Sequence, residues 1–304
     1  MQVISNKTEE RGNKRIIIDI FIFSAITILC GWLGVAIDNI TKQQAGGGRI
    51  DGGSLGELVW LVLPLLTAFI LRLLSRDFKE GGLKLNLKQS WKWYLFSIGI
   101  YPVAGILLLI VGFITKSINY KLLKLEMTAS TLTIVLLQLF FMKIFEELPW
   151  RGFLAQKLIS LKLNDWLIYL INGFIWSSWH YAYYMVFLPD SFFEEGGIMG
   201  GYSRFTVCVI ATIIMILWSV MYVELFRLAK SVWPCLIVHV VEDILFIYIL
   251  ASWNSAITPG RQFLMDTNFG IVSVVILLGA GLILRSIRLK KENAEQKNKV
   301  ARPC

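Results

Sequence analysis

The chain is 304 residues long, 56% hydrophobic and 13% aromatic, with only 17% of its residues charged and a mean hydropathy of +0.64. So little polar surface excludes a soluble globule of this size and indicates an all-α, polytopic membrane protein. The net charge of +9 lies in short flanking segments and a C-terminal tail, where it suits anionic lipid headgroups; no nucleic-acid partner is expected.

Runs of about 20 mainly apolar residues, the length that crosses a ~30 Å hydrocarbon core, occur about eight times, at 16–37, 57–74, 93–115, 130–150, 166–187, 204–228, 232–252 and 268–287. The first follows Lys7, Arg11, Lys14 and Arg15, but it is longer than a signal-peptide core of about 7–15 residues and reads as a retained helix. The expected organisation is an N-terminal region 1–129 with helices one to three, a core 130–252 with helices four to seven, and a last helix with a basic tail in 253–304. With eight spans both termini lie on one side. That side carries 22 of the 30 Lys and Arg, the other seven, and Lys143 lies within a span. The positive-inside rule therefore predicts cytoplasmic termini.

The connections carry little chemistry. The run Gly46-Gly47-Gly48-Arg49-Ile50-Asp51-Gly52-Gly53 lacks the spacing and the following lysine of a phosphate loop and reads as a flexible linker. The segment 188–203, with Asp190, Glu194 and Glu195, reads as a solvated external loop. Cys30, Cys208 and Cys235 lie in separate spans with no CxxC spacing. With Cys304 as the last residue of the sequence, no CaaX lipidation box is expected.

Candidate chemistry is confined to ionisable groups inside the spans, which are functional candidates by default. Glu146 and Glu147 close the fourth span in Glu146-Glu147-Leu148-Pro149-Trp150-Arg151. Neighbours on a helix point ~100° apart, so the two acids need different partners. Glu147 and Arg151 stand at ion-pair spacing, which leaves Glu146 to face a cavity. Pro149 removes a backbone donor and clashes with the carbonyl of Phe145, so the helix should bend there. The bland alternative is a solvated span end, with Lys143, both glutamates and Arg151 at the interface. In the fifth span Trp176 precedes His180 by one turn; an imidazole there also suits a helix-to-helix hydrogen bond. In the seventh, His239 and Asp243 share a face and Glu242 approaches it. Unpaired, these groups would cost several kcal/mol.

Taken together, the three elements resemble the motifs of the CPBP family, the CAAX prenyl protease and bacteriocin-processing (Abi) intramembrane proteases, which carry EExxxR, FxxxH and HxxxN or HxxxD on successive transmembrane helices. The resemblance covers roughly 130–250. It departs at Trp176, where the family usually has Phe, and at Asp243, where the prenyl proteases carry Asn. It implies an intramembrane endopeptidase in which Glu146 and His180 activate water while His239 and Asp243 serve the oxyanion. Glu147, Arg151, Trp176 and Glu242 would support them. Asp243 would act either as a protonated hydrogen-bond donor or, ionised, by orienting His239. At family level it implies a membrane-associated peptide substrate, such as a pheromone or bacteriocin, and a bacterial plasma membrane. The site would be a cytoplasm-facing cavity between spans four, five and seven. His180, ~20 Å along its span at ~1.5 Å per residue, fits only if that helix starts in the cytosol near Asn164 and Asp165.

Zn²⁺ on Glu146, His180 and His239 is chemically conceivable, but without an HExxH pair the reading leans to no tightly bound metal. Two other functions would also use intramembrane acids and imidazoles. A proton-coupled transporter should show repeats with paired broken helices, which are absent from the sequence. A non-catalytic scaffold would tolerate loss of the motif residues, yet every position carries a competent side chain.

Overall fold

The structure is a computed structural model, and it describes residues 2–43, 53–78, 81–124, 128–194, 197, 199, 201–250 and 252–300. Most of the glycine run, Glu195 and Cys304 lie outside the described residues. The protein is all-α, with no strand among the described residues. Among the described residues, five helices are long and apolar enough to cross a membrane: Gly12–Thr41 within α1 (Gln2–Thr41), α2 (Leu55–Ser75), α3 (Leu87–Ile114), α7 (Arg204–Ala229), and Ile271–Asn298 within α11 (Ile271–Val300). Large apolar side chains such as Phe21, Phe113 and Phe205 are more than 70% exposed on them, as a lipid-facing surface requires.

The other three expected spans are composite. α4 (Ala129–Glu147) passes into a π-helical segment Leu148–Ala155 and then α5 (Gln156–Ser160). α6 (Asp165–Trp179) is followed by a π segment Tyr183–Phe187, and α8 (Trp233–Asp243) by another, Ile244–Ile249. Continuous apolar length, all that the sequence count used, does not register these breaks. Pro149 accounts for the first, because it supplies no N–H to an i→i−4 ladder. Two short helices, α9 (Trp253–Ala256) and α10 (Gln262–Met265), precede α11.

The chain forms two compact units, Met1–Leu83 with Phe141–Ile216, and Lys84–Phe140 with Leu217–Cys304. In the first, α1 and α2 form a hairpin closed by Asp38, which accepts from Ser54 Oγ at 2.5 Å and Gly56 N at 2.7 Å. Gly34 and Gly56 let the two backbones touch, since a Cβ on either would overlap the other's carbonyl. Ser54 and Glu57 form a capping box that starts α2. Near the other end of the hairpin, Lys157 bridges Asp19 at 3.1 Å and Asp77 at 2.6 Å, and Arg72 donates to the carbonyl of Gly152. α5 and the π segment before it are thereby tied to α1 and α2.

The second unit is built on buried carboxylates. Glu242 on α8 accepts from Tyr101 Oη of α3 at 2.6 Å and Tyr222 Oη of α7 at 3.0 Å. Glu224 on α7 is fully buried and pairs with Arg227 at 3.0 Å and with Arg288 of α11 at 2.5 Å. Asp266 sits between the α8 region and α11, accepting from Asn268 N at 2.8 Å, Phe269 N at 2.7 Å and Asn254 Nδ2 at 3.1 Å.

Burial raises the Asp266 carboxyl from 3.8 to about 6, against the opposing pull of those three donors. The folded state therefore binds this proton more tightly than the unfolded chain. The resulting stabilisation is complete below pH ~4, is lost as the pH rises through about 6, and is flat above, a change on the order of 3 kcal/mol. Asp266→Asn keeps an oxygen for the two amides and should flatten the acid limb of thermal stability between pH 4 and 7. Melting curves of parent and variant that stay parallel across that range would refute the assignment.

Candidate active site

The first motif lies where α4 gives way to its π segment, and none of its charges is solvated. Lys143, Glu146, Glu147 and Arg151 are all buried, the last two completely, which overturns the interfacial alternative. Lys143 Nζ lies 2.6 Å from Glu146 Oε1 and Arg151 Nη1 lies 3.0 Å from Glu147 Oε1. The two acids thus have different cations, as their angular separation requires. Lys143 stands three residues from Glu146, a spacing as legible as that of Glu147 and Arg151, yet its role as a counter-ion was missed.

Arg151 also reaches the second motif. Its Cζ lies 4.2 Å from the centre of the Trp176 ring, a cation–π contact for which Trp is the best aromatic partner. The Trp that replaces the family's Phe is therefore the platform on which Arg151 rests. Asn172 of α6 donates to Trp150 O at 3.3 Å, a carbonyl of the π segment. Both contacts fasten α6 to the first motif.

α6 begins at Asp165, where Asn164 Oδ1 accepts from Trp166 N at 2.9 Å, and stops at Trp179. Stopping there leaves the last carbonyls of the helix without ladder partners. Side chains supply them: His180 Nδ1 lies 2.9 Å from Trp176 O and Trp60 Nε1 donates to Trp179 O at 2.8 Å. Because a carbonyl only accepts, Nδ1 carries the proton in neutral His180, and Nε2 presents its lone pair. Trp179 returns a bond to Trp60 O at 3.0 Å, and the two rings stack at 4.1 Å. The imidazole packs against Trp179 at 4.5 Å and Tyr184 at 5.5 Å. Trp60 lies 119 residues from Trp179, and no local pattern announced it.

The third motif lies in the second unit. His239 is buried on α8 with the Tyr222 ring 6.0 Å from its own, and Asp243 is the last residue of that helix. Glu242 is drawn to the two tyrosines on α3 and α7, which gives it a part in packing. All three motifs thus stand immediately before or within a π-helical stretch. Such π segments are rare and concentrate at functional sites.

Residues 128–245 match the family described as Rce1-like, type II CAAX prenyl endopeptidase. This segment is similar to the CAAX protease (CPBP) family. The match covers less than half of the chain, running from the start of α4 to just past Asp243, and includes all three motifs. A search among curated proteins finds no match. The CAAX protease family is a peptidase family, and the long apolar helices of the chain are those of an integral membrane protein. A metal fits poorly in the first unit: the Lys143 ammonium already meets Glu146, and among the described residues there no three His, Cys, Asp or Glu side chains group as ligands.

Proposed function

We propose that the protein is an intramembrane endopeptidase that hydrolyses a peptide bond of a membrane-associated peptide with water activated by Glu146 and His180. The observation that carries this reading is the bond from His180 to Trp176 O, which leaves Nε2 as the base. Nε2 takes a proton from water that the Glu146 carboxylate orients, and the hydroxide adds to the scissile carbonyl. The protonated imidazole then returns the proton to the leaving amine as the tetrahedral species collapses. His239 and Asp243 stabilise the oxyanion, as the family resemblance implies. No step requires a metal. The bias of basic residues supports cytoplasmic termini, and a reporter active only there should work when fused to the C-terminus.

The direct test is release of the C-terminal tripeptide from a prenylated CAAX-type peptide by the purified chain in lipid nanodiscs. Absence of cleavage of that peptide and of other membrane-anchored peptides would exclude the reading. Asp243→Asn refines it. If Asp243 acts as a protonated donor, Asn supplies a permanent one, and activity should stay within about tenfold of the parent and fall less at high pH. A loss beyond about a hundredfold at every pH would instead assign Asp243 as the ionised partner of His239, whose loss can reach ~10⁴ in a serine protease triad.

A further inference from the structure

Within the second unit, away from the motif residues, a pocket of about 420 Å³ opens between the start of α3, the end of α7 and the polar half of α11. Asn86, Gln89, Ser90 and Trp93 line one side, and Lys230 and Lys291 bring two ammonium groups from separate elements. The walls are tied together: Asn86 Nδ2 donates to Lys230 O at 2.9 Å and Ser90 Oγ to Ala229 O at 2.7 Å. Lys230 takes a left-handed conformation, φ 50, at the point where the chain leaves α7. Neither lysine has a carboxylate partner among the described residues. Of the acids on the same helices, Glu224 is occupied by Arg227 and Arg288 and Glu292 by Arg288, while Glu295, one turn beyond Lys291, makes no ion pair with it.

The pocket therefore holds two ammonium groups without carboxylate partners, between the positive end of α3 and the negative end of α7, where Asn86 and Ser90 already cover two of the α7 carbonyls. Its depth is that of lipid headgroups. Trp93 begins the apolar run of α3, while Ala229 and Lys291 lie just beyond the apolar runs of α7 and α11, and tryptophan favours that boundary. On α3, Leu87, Trp91 and Leu95 form an exposed row at four-residue spacing, a surface along which acyl chains can lie. We propose that this pocket binds the phosphate of an anionic glycerophospholipid, with Lys230 and Lys291 as its counter-ions and the lipid tails outside on α3. Basic pockets between transmembrane helices recognise acidic headgroups through the same chemistry.

The test uses the full-length protein, with retained lipid measured by native mass spectrometry and thermal stability in phosphatidylcholine with or without phosphatidylglycerol. The parent should retain phosphatidylglycerol over phosphatidylcholine and melt higher in its presence. Lys230→Gln with Lys291→Gln should weaken retention about tenfold or more, given two charges near the surface, while melting like the parent in phosphatidylcholine. The paired Arg substitutions should keep binding, which separates lost charge from lost folding. Lys297→Gln, an exposed change on the same helix, should leave binding intact. Equal loss in Lys297→Gln, or no preference for phosphatidylglycerol in the parent, would overturn the site. Stabilisation by millimolar inorganic phosphate alone, equal to that by the lipid, would overturn the lipid as the source of the phosphate.

Discussion

Glu146→Gln is expected to lower peptide cleavage by a factor of ~10³ or more, because the substitution keeps the shape but removes the charge that orients water. It also leaves the Lys143 ammonium, 2.6 Å from Glu146 Oε1 in the parent, beside a neutral amide in a buried setting, so some loss of thermal stability should accompany it. Pairing Glu146→Gln with Lys143→Met removes both charges and should recover stability but not turnover. His180→Ala provides a second comparison: it breaks no ion pair but removes the partner of Trp176 O and a ring packed on Trp179 and Tyr184, so activity should collapse with a moderate loss of stability. The measurements are initial cleavage rates and melting temperature on the same preparations. Near-normal cleavage by Glu146→Gln, with a folded but inactive Glu147→Gln, would reverse the roles given to the two acids.

Arg151→Ala should unfold or severely destabilise the protein. The change strands the Glu147 carboxylate, which has no exposed surface, and removes the cation from the Trp176 face 4.2 Å away. Breaking a buried pair from one side costs about 3–5 kcal/mol, whereas replacing both partners with apolar groups of similar size is far milder. Glu147→Leu with Arg151→Met should therefore be more stable than Arg151→Ala alone. Because Arg151 positions α6 rather than touching substrate, the double variant should retain measurable activity with its pH profile unshifted. A single Arg151→Ala variant that melts with the parent would refute this role, and so would a double variant no more stable than the single.

What the sequence determined by itself was whatever depends on neighbours along the chain. Hydropathy over about 20 residues was enough for the long membrane helices, because crossing lipid is a condition each segment meets alone. Helical spacing was enough for the pairing of Glu147 with Arg151, and the order of three short motifs was enough for the family. Asn164 as the start of α6 was legible from its side chain, and Lys143 could have been read as the Glu146 counter-ion from the same spacing rule. The tertiary structure alone decided the rest. Glu242 accepts from Tyr101 and Tyr222, 141 and 20 residues away, partners that no spacing rule indicates. The Trp60–Trp179 lock and the Arg151–Trp176 contact arise only when separate helices pack. Two of the composite helices had the same origin, since hydropathy is blind to a ladder that changes from α to π; the first was announced by Pro149, and Arg72 on Gly152 O and Asn172 on Trp150 O accommodate it. A buried polar group must find a partner wherever the fold brings one, and sequence distance says nothing about which partner that will be.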